Sequence, residues 1–178
     1  MNLPNLLSIL RILFIPVFIN LLIYHYHGWA LAVFLAAGLT DSLDGLIARL
    51  TNQRTRLGTY LDPMADKLLL TASFLALGIL QIIPVWSAVV VVSRDIILIL
   101  GALILHLTQT QMEISPTFLG KSTTALQLIY VALVLLAAVV RGSTVSLFPV
   151  LVVTVGLTIL SGLHYIYRGI HHLNSEQV

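Results

Sequence analysis

Residues Asp41 to Asp66 read DSLDGLIARLTNQRTRLGTYLDPMAD, and this stretch contains four of the seven acidic residues of the chain. The sequence on both sides is strongly apolar, so each carboxylate here needs a compensating partner or costs free energy. Asp41 and Asp44 are three residues apart, and Asp62 and Asp66 are four apart. On α-helices each pair would share one face. The stretch therefore predicts two helices that bring four carboxylates together around one point.

Four carboxylates in such proximity repel one another unless a cation lies between them. Oxygen ligands favour Mg²⁺, Mn²⁺ or Ca²⁺ over zinc, and the absence of cysteine excludes a thiolate site. Small residues accompany both pairs, because Gly45 and Ala48 continue the line of the first pair and Gly58 precedes Asp62 by four positions. We therefore expect a divalent-metal site flanked by small residues.

The composition indicates an integral membrane protein. Of the 178 residues, 58% are hydrophobic and 9% are charged, with a mean hydropathy of +1.02, whereas about a quarter of the residues in soluble domains are charged. At about 20 residues per span, the length predicts an all-α fold of six transmembrane helices in a single domain, residues 1–178. The predicted spans are residues 6–25, 30–50, 59–82, 85–106, 118–140 and 147–167.

The segment before the first span contains Pro4, so residues 1–5 are expected to form a short interfacial segment. No basic region precedes Leu6 to Tyr24 and no small-residue cleavage site follows it, which favours a retained span over a signal peptide. In the sixth span, Gly156 and Gly162 are expected to allow close helix packing.

Basic residues predict the orientation in the membrane. Arg49, Arg54 and Arg56 flank the connection between the second and third spans, and positive loops are typically cytoplasmic. Both termini and the carboxylate site would then face the cytoplasm, in a cell inner membrane or its equivalent. The formal net charge of only +2 does not indicate binding of nucleic acid.

Charged residues outside the acidic stretch also suggest function. Arg94 and Asp95 fall near the middle of the fourth span, where charges are rarely placed for stability. Adjacent helical residues point about 100° apart, so each of the two is expected to have a separate partner. Lys121 opens the fifth span, where a cation opposes the helix dipole, and this predicts an anion ligand. Lys67 is a possible counter-charge for Asp66.

The acidic stretch resembles the signature of the CDP-alcohol phosphotransferases. Eight residues match it in type and spacing: Asp41, Asp44, Gly45, Ala48, Arg49, Gly58, Asp62 and Asp66. The probability that eight fixed positions agree by chance is negligible. The resemblance implies transfer of a substituted phosphate group from a CDP-alcohol to an acceptor alcohol, with release of CMP.

The resemblance also implies a role for each matching residue. Metal ligands, for two Mg²⁺ or Mn²⁺ ions, would be Asp41, Asp44, Asp62 and Asp66. Asp66 would in addition be the general base that takes the proton of the acceptor hydroxyl. Binding of the nucleotide and its diphosphate would involve Asp44, Gly45, Ala48, Arg49 and Gly58.

Further residues resemble the branch that contains phosphatidylglycerophosphate synthases and eukaryotic-type cardiolipin synthases. They are Pro4, Asn5, Arg11, the LDPMADK around Asp62, Ser93, Arg94, Asp95, Gly120, Lys121 and Gln127. The implied donor is CDP-diacylglycerol, and the first expected acceptor is glycerol 3-phosphate. Phosphatidylglycerol, the acceptor of a cardiolipin synthase, is the alternative, because phosphatidylglycerophosphate synthases commonly carry glutamate where this chain has Asp95.

Both acceptors contain a phosphate, and the cations expected to bind it are Arg94, Lys121 and Arg168. The resemblance further implies a homodimer in the lipid bilayer. Two functions of other classes stay open. A divalent-cation transporter also uses intramembrane aspartates, although transporters usually show repeated halves. A non-catalytic membrane scaffold would tolerate substitution of the aspartates.

Overall fold

The computed structural model describes the backbone of residues 3–51, 56–107, 117–140 and 146–175, and the side-chain surroundings of residues 8–40, 64–101, 117–140 and 146–168. These residues form six α-helices and no strands, which confirms the all-α prediction. The helices are α1 (Leu3–Ile23), α2 (His27–Thr51), α3 (Arg56–Ile79), α4 (Val85–Leu107), α5 (Phe118–Val139) and α6 (Phe148–Ser175). Their bounds lie close to those of the predicted spans, except that α6 continues beyond residue 167.

The separate interfacial segment expected for residues 1–5 is not found in the described part of the N-terminus. Helix α1 begins at Leu3 and includes Pro4 in its first turn. Proline is tolerated there because the N–H groups of the first turn have no acceptor within the helix. That prediction was therefore wrong in taking Pro4 as a break before the first helix.

The helices pack in a closed ring in the order α1, α2, α5, α6, α4 and α3, and α3 also contacts α5 across the ring. Short connections make consecutive helices antiparallel. Gly78 of α3 faces Ala88 at the start of α4, and further from the turn Thr71 of α3 approaches Asp95. Helices α1, α3 and α5 therefore begin in the half of the bundle where α2, α4 and α6 end.

We call this half the charged half, and the opposite half, which contains the α1–α2 and α3–α4 connections, the turn half. The described charged residues are Arg11, Asp66, Lys67, Arg94, Asp95, Lys121 and Arg168. All of them lie in the charged half or at mid-depth in the bundle, because none falls near the end of α1 or α3 or the start of α2 or α4. The topology thus separates the ionised side chains that the structure describes from the α1–α2 and α3–α4 turns.

Two tight turns close the turn half, and both end a helix with a Schellman motif. After α1, the Tyr26 N–H donates to the Leu21 carbonyl at 2.8 Å, and the equivalent bond after α3 measures 2.9 Å. The residue that reverses the chain has a positive φ, 59° at His25 and 57° at Gln81. Glycine usually occupies this position because it has no Cβ. These turns therefore carry local strain.

The packing inside the turn half is mainly aromatic and aliphatic. The rings of Phe18 in α1 and Phe34 in α2 lie 5.8 Å apart, and those of Phe74 in α3 and Tyr130 in α5 lie 6.1 Å apart. These distances are typical of favourable aromatic contacts. The first pair joins the neighbouring helices α1 and α2, and the second joins α3 to α5 across the ring.

The outside of the bundle is apolar, as expected for a membrane protein. Ile79 is 77% exposed and Phe118 is 85% exposed, whereas polar side chains such as Ser73, Gln127 and Thr158 are buried. This arrangement is the reverse of a soluble protein. Within the described residues, two helices are long and apolar enough to cross a membrane, Phe118–Val139 and Phe148–Arg168; Ser8–Ile23 and His27–Thr40 are shorter apolar segments.

Candidate functional site

The residues of the acidic pattern lie on two helices that both pack against α1. Helix α2 contains Asp41, Asp44, Gly45, Ala48 and Arg49, and helix α3 contains Gly58, Asp62 and Asp66. The backbone is helical over both stretches, as the sequence predicts. The end of α2 and the start of α3 belong to the charged half, which brings the pattern to one region.

Among these residues, Asp66 is the one with a described side chain. Asp41, Asp44, Gly45, Ala48, Arg49, Gly58 and Asp62 lie outside the residues whose side-chain surroundings are described. Over the part of the chain that is described, no group of three or more potential metal-ligating side chains occurs. The metal and nucleotide sites therefore stay predictions.

The Asp66 carboxylate forms an ion pair with an arginine from α1. The Arg11 Nη1 donates to Asp66 Oδ1, joining residues 55 positions apart. The Arg11 side chain is fully buried, whereas the Asp66 side chain is 36% exposed. Arg11 therefore faces the interior of the bundle, and it takes the counter-charge role considered above for Lys67. Because Asp66 reaches solvent, its carboxylate is accessible to a ligand that enters the bundle from the charged half.

A second ion pair lies at mid-depth, where Arg94 Nη1 donates to Asp95 Oδ1 at 2.8 Å. The expectation that these adjacent residues would not pair was wrong, because the long arginine side chain bends round the helix to reach its neighbour. The expectation of further partners was right. Arg94 Nη2 donates to Ser161 Oγ of α6 at 3.0 Å, and Thr71 Oγ1 of α3 donates to Asp95 Oδ2 at 3.4 Å.

These bonds fix the Arg94 guanidinium between three helices. Its stem lies against Gly162 of α6, where a Cβ atom would come within 3.4 Å of Arg94 Cγ. The Arg94 Nε is buried and has no hydrogen-bond partner among the described residues. A buried N–H donor without an acceptor is costly. The arrangement is therefore suited to an anionic ligand that would supply the missing acceptor.

Tyr165 of α6 lies in the same region, and the sequence analysis did not identify it. Its Oη accepts a hydrogen bond from the Thr117 N–H at 3.1 Å, and its ring packs against Gly120. The Thr117 side chain also interacts with this hydroxyl. Apart from a helical interval of four from Ser161, no sequence signal marks it, because a tyrosine near a membrane interface is ordinary.

The other two cations predicted to bind the acceptor phosphate lie on α5 and α6. Lys121 follows Gly120 in the first turn of α5 and is exposed, and Arg168 lies three residues after Tyr165 and is half-buried. Both belong to the charged half. The structure thus places Lys121 on α5 and Arg168 on α6, the helix whose Ser161 contacts Arg94.

The comparison with protein families gives a match along most of the chain. A family described as CDP-alcohol phosphatidyltransferase matches residues 1–160. This range begins before α1 and ends within α6, so it includes both helices of the acidic pattern and both buried ion pairs.

Individual relatives carry two different names. A human protein named cardiolipin synthase (CMP-forming) is 39% identical over 154 residues, covering 78% of this chain and 51% of the relative. A Mycobacterium bovis protein named putative cardiolipin synthase is 35% identical over 125 residues, covering 70% and 59%. A Mycobacterium tuberculosis protein named probable phosphatidylglycerophosphate synthase is 31% identical over 180 residues, covering 97% and 83%. The chain thus spans just over half the length of the two relatives named cardiolipin synthase.

Proposed function

The chain belongs to the CDP-alcohol phosphatidyltransferase family, and we propose that it transfers the phosphatidyl group of CDP-diacylglycerol to an alcohol, releasing CMP. The observation that carries this proposal is the family match over residues 1–160, which includes all eight residues of the acidic pattern. In the reaction, the acceptor oxygen forms a bond to the phosphatidyl phosphorus, and the bond from that phosphorus to the CMP oxygen breaks.

A divalent cation fits the donor set of the acidic pattern. Asp66 is an ionisable carboxylate that reaches solvent, and it lies one helical turn after Asp62. Carboxylates of this kind are typical ligands of Mg²⁺ and Mn²⁺. In the proposal, Asp41, Asp44, Asp62 and Asp66 would hold two such ions, which when bound supply neutralising charge for the diphosphate.

Asp66 is the proposed general base. A base must be ionised before the reaction, must reach the acceptor hydroxyl, and must be able to return its proton to solvent. The Arg11 partner balances the charge of the carboxylate, and the 36% exposure of the side chain gives it contact with an entering alcohol. Asp44, Gly45, Ala48, Arg49 and Gly58 are the residues proposed to bind the nucleotide and its diphosphate.

The acceptor phosphate is proposed to bind Arg94, with Lys121 and Arg168 on the flanking helices. The support is the buried position of the guanidinium and its Nε, which has no partner among the residues that the structure describes. A phosphate oxygen would accept the hydrogen bond that the Nε can donate, and arginine binds phosphate with well-defined geometry.

Glycerol 3-phosphate is the first proposed acceptor, because the relative covered along 83% of its length is named phosphatidylglycerophosphate synthase. Phosphatidylglycerol is the second, because the human relative with 39% identity is named cardiolipin synthase. Asp95 fits the second acceptor in the family resemblance. Both acceptors present a phosphate beside a glycerol hydroxyl, so the same cluster of cations serves either one.

The proposed setting is a cell inner membrane crossed by all six helices, as a single domain and a homodimer. The apolar outer surface supports membrane insertion, and the arginines at the α2–α3 connection support a cytoplasmic site and cytoplasmic termini. A site at that interface would let the lipid part of CDP-diacylglycerol stay in the bilayer while its headgroup stays hydrated.

The test is CMP release by the purified protein in mixed micelles with CDP-diacylglycerol and Mg²⁺ or Mn²⁺. Reactions contain glycerol 3-phosphate, phosphatidylglycerol or neither. CMP formed with glycerol 3-phosphate alone identifies the first acceptor, and CMP formed with phosphatidylglycerol alone identifies the second. If neither these nor other alcohols give CMP, the proposed function is refuted.

A further inference from the structure

Arg11 lies on the face of α1 that packs into the bundle. Phe18 and Leu22 follow it on the same face, and all three side chains are fully buried. Phe18 and Leu22 belong to the apolar core, whereas Arg11 brings a guanidinium to this face. A buried cation without a partner carries a large desolvation cost. The position of Arg11 inside the bundle therefore depends on the carboxylate that it binds.

Asp66 lies where the buried face of α3 reaches solvent. Leu69, Leu70 and Ser73 continue that face along the helix and are buried, whereas 36% of the Asp66 side chain is exposed. Arg11 Nη1 donates to Asp66 Oδ1. Because a carboxylate is planar, a bond from a fixed donor to one of its oxygens restricts the direction of both. Helix α1 thereby sets the orientation of the Asp66 carboxylate.

The Arg11–Asp66 pair persists when a ligand approaches the carboxylate. Breaking a buried ion pair is strongly destabilising, because the remaining charge is left uncompensated, and the Arg11 side chain is fully buried. The carboxylate is therefore shared between a fixed donor in the interior and a ligand that enters from the charged half. Carboxylates that bind metal ions are commonly held by a hydrogen bond from a neighbouring group in this way.

We propose that Arg11 is a positioning residue that holds the Asp66 carboxylate toward the divalent cation and the acceptor hydroxyl. This inference rests on the proposed function and adds an orienting role to the charge balance described above. A catalytic group must be held within about 0.5 Å of its productive position. Solvent at the exposed carboxylate weakens the repulsion between Arg11 and a cation, but it does not orient the carboxylate. Orientation therefore outweighs repulsion.

The test is the affinity of Arg11→Met for Mn²⁺, measured from the electron paramagnetic resonance signal of free Mn²⁺ with the full chain in detergent and no lipid substrate. Methionine fills the buried space without a donor, and solvent can hydrate the partly exposed Asp66 carboxylate. Loss of a group that orients a metal ligand typically costs about 10- to 100-fold in affinity, and a decrease of that size is expected here. Unchanged or tighter Mn²⁺ binding would overturn the inference.

A double-mutant cycle shows whether Arg11 acts through Asp66. Residues that act through one another have non-additive effects. Arg11→Met should therefore lower the Mn²⁺ affinity of the wild type but cause no further decrease in Asp66→Asn. A further decrease of about tenfold in the Asp66→Asn background would contradict positioning through this carboxylate.

The matched control is Phe18→Leu, which changes a fully buried side chain on the same face of α1 in the turn half. It should lower the Tm and leave the Mn²⁺ affinity at that of the wild type. If the affinity fell as much as in Arg11→Met, the effect would come from the packing of α1 and the inference would be refuted.

Arg11→Lys is the second variant, and it keeps the test decisive even if Arg11→Met does not fold. Lysine retains the charge on a more flexible side chain without the planar guanidinium. Its Mn²⁺ affinity should lie between those of the wild type and Arg11→Met. An affinity equal to that of the wild type would show that charge alone suffices, and would overturn the positioning role.

The binding measurement separates this inference from the reaction. A wild type that binds Mn²⁺ and shows the expected differences, but releases no CMP with any alcohol, would refute the proposed reaction and leave the role of Arg11 intact. A wild type that releases CMP while Arg11→Met binds Mn²⁺ normally would refute the role of Arg11 alone. A wild type that binds no Mn²⁺ would overturn this role whatever the CMP assay gives.

Discussion

The two halves of the bundle are held together by different kinds of interaction. In the turn half, Schellman motifs and aromatic pairs join helices through local hydrogen bonds and apolar contacts. In the charged half and at mid-depth, two buried arginines each bind an aspartate, Arg11 across helices and Arg94 along its own helix, at a cost in desolvation that apolar residues would avoid. Stability can explain the turn half by itself. The charged half is better explained by chemistry that needs ionised groups.

These two ion pairs also differ from each other. Asp95 and Arg94 are both buried, each with 7% of the side chain exposed, whereas Asp66 is 36% exposed beside a fully buried Arg11. A carboxylate in a buried pair can hold an arginine in place but cannot exchange protons readily with solvent. A partly exposed carboxylate such as Asp66 can exchange protons with solvent. This difference supports the proposal that Asp66 accepts the proton and that Asp95 positions Arg94.

The largest expected effect is that of Asp66→Asn on catalysis. Asparagine has nearly the same shape but cannot take a proton, and a general base typically contributes about 100- to 10,000-fold to a rate. We therefore expect kcat to fall about 1,000-fold. CMP release should be measured below the Tm of the variant, with wild-type protein as the reference. A variant that kept a tenth or more of the wild-type kcat would remove Asp66 from the base role.

The next effect is the loss of stability in Asp95→Asn. Neutralising one member of a buried ion pair leaves the other charge uncompensated, at a cost of about 3–5 kcal/mol. Thermal unfolding in detergent should show a large decrease in Tm for Asp95→Asn, because the buried Arg94 would lose its carboxylate partner. A Tm equal to that of the wild type would show that the Arg94–Asp95 pair does not stabilise the fold.

A smaller loss is expected for Ser161→Ala, which removes the hydroxyl that accepts from Arg94 Nη2 at 3.0 Å. A hydrogen bond to a charged group is worth about 1.5–3 kcal/mol. The control is Thr154→Val, since the Thr154 hydroxyl is buried in the same helix but donates to the Val150 carbonyl of that helix. If both variants lost the same stability by thermal unfolding, the hydrogen bond from Arg94 to Ser161 would contribute no more to stability than a hydrogen bond within α6.

The smallest effect lies in the turn half and has the opposite sign. Gln81 has a φ of 57°, where a side chain costs about 1–2 kcal/mol. Gln81→Gly should therefore raise the unfolding free energy by about 1 kcal/mol, offset in part by the entropy of glycine in the unfolded chain. The kcat should not change. A loss of activity in this variant would show that the two halves are coupled.

Much of the fold could be predicted from the sequence, because long apolar segments separated by short polar ones define helices whatever their partners are. The Schellman turns could not be predicted, since His25 and Gln81 stand where glycine is usual. Their backbone is held by the packing of both flanking helices. The predicted close approach at Gly162 is confirmed by its contact with Arg94, whereas the approach at Gly156 stays a prediction, since no described atom lies within 4 Å of the Cβ position there.

The candidate site was likewise only partly predictable from the sequence. The acidic pattern was readable because its residues are close in sequence and follow helical spacing. The partners of those residues were not, since Arg11 and Asp66 are 55 positions apart and Ser161 lies 67 positions from Arg94. Tyr165 was missed for a related reason, because its hydrogen bond with the Thr117 amide joins residues 48 positions apart.

The most direct test of the account follows the phosphate in the reaction. CDP-diacylglycerol is prepared with a radiolabel in the phosphate attached to diacylglycerol and incubated with the protein, a divalent cation and each acceptor. The account predicts that the label leaves with the lipid and appears in a new phospholipid, while unlabelled CMP is released. Label in the released nucleotide, or label that stays in CDP-diacylglycerol with every acceptor, would contradict phosphatidyl transfer.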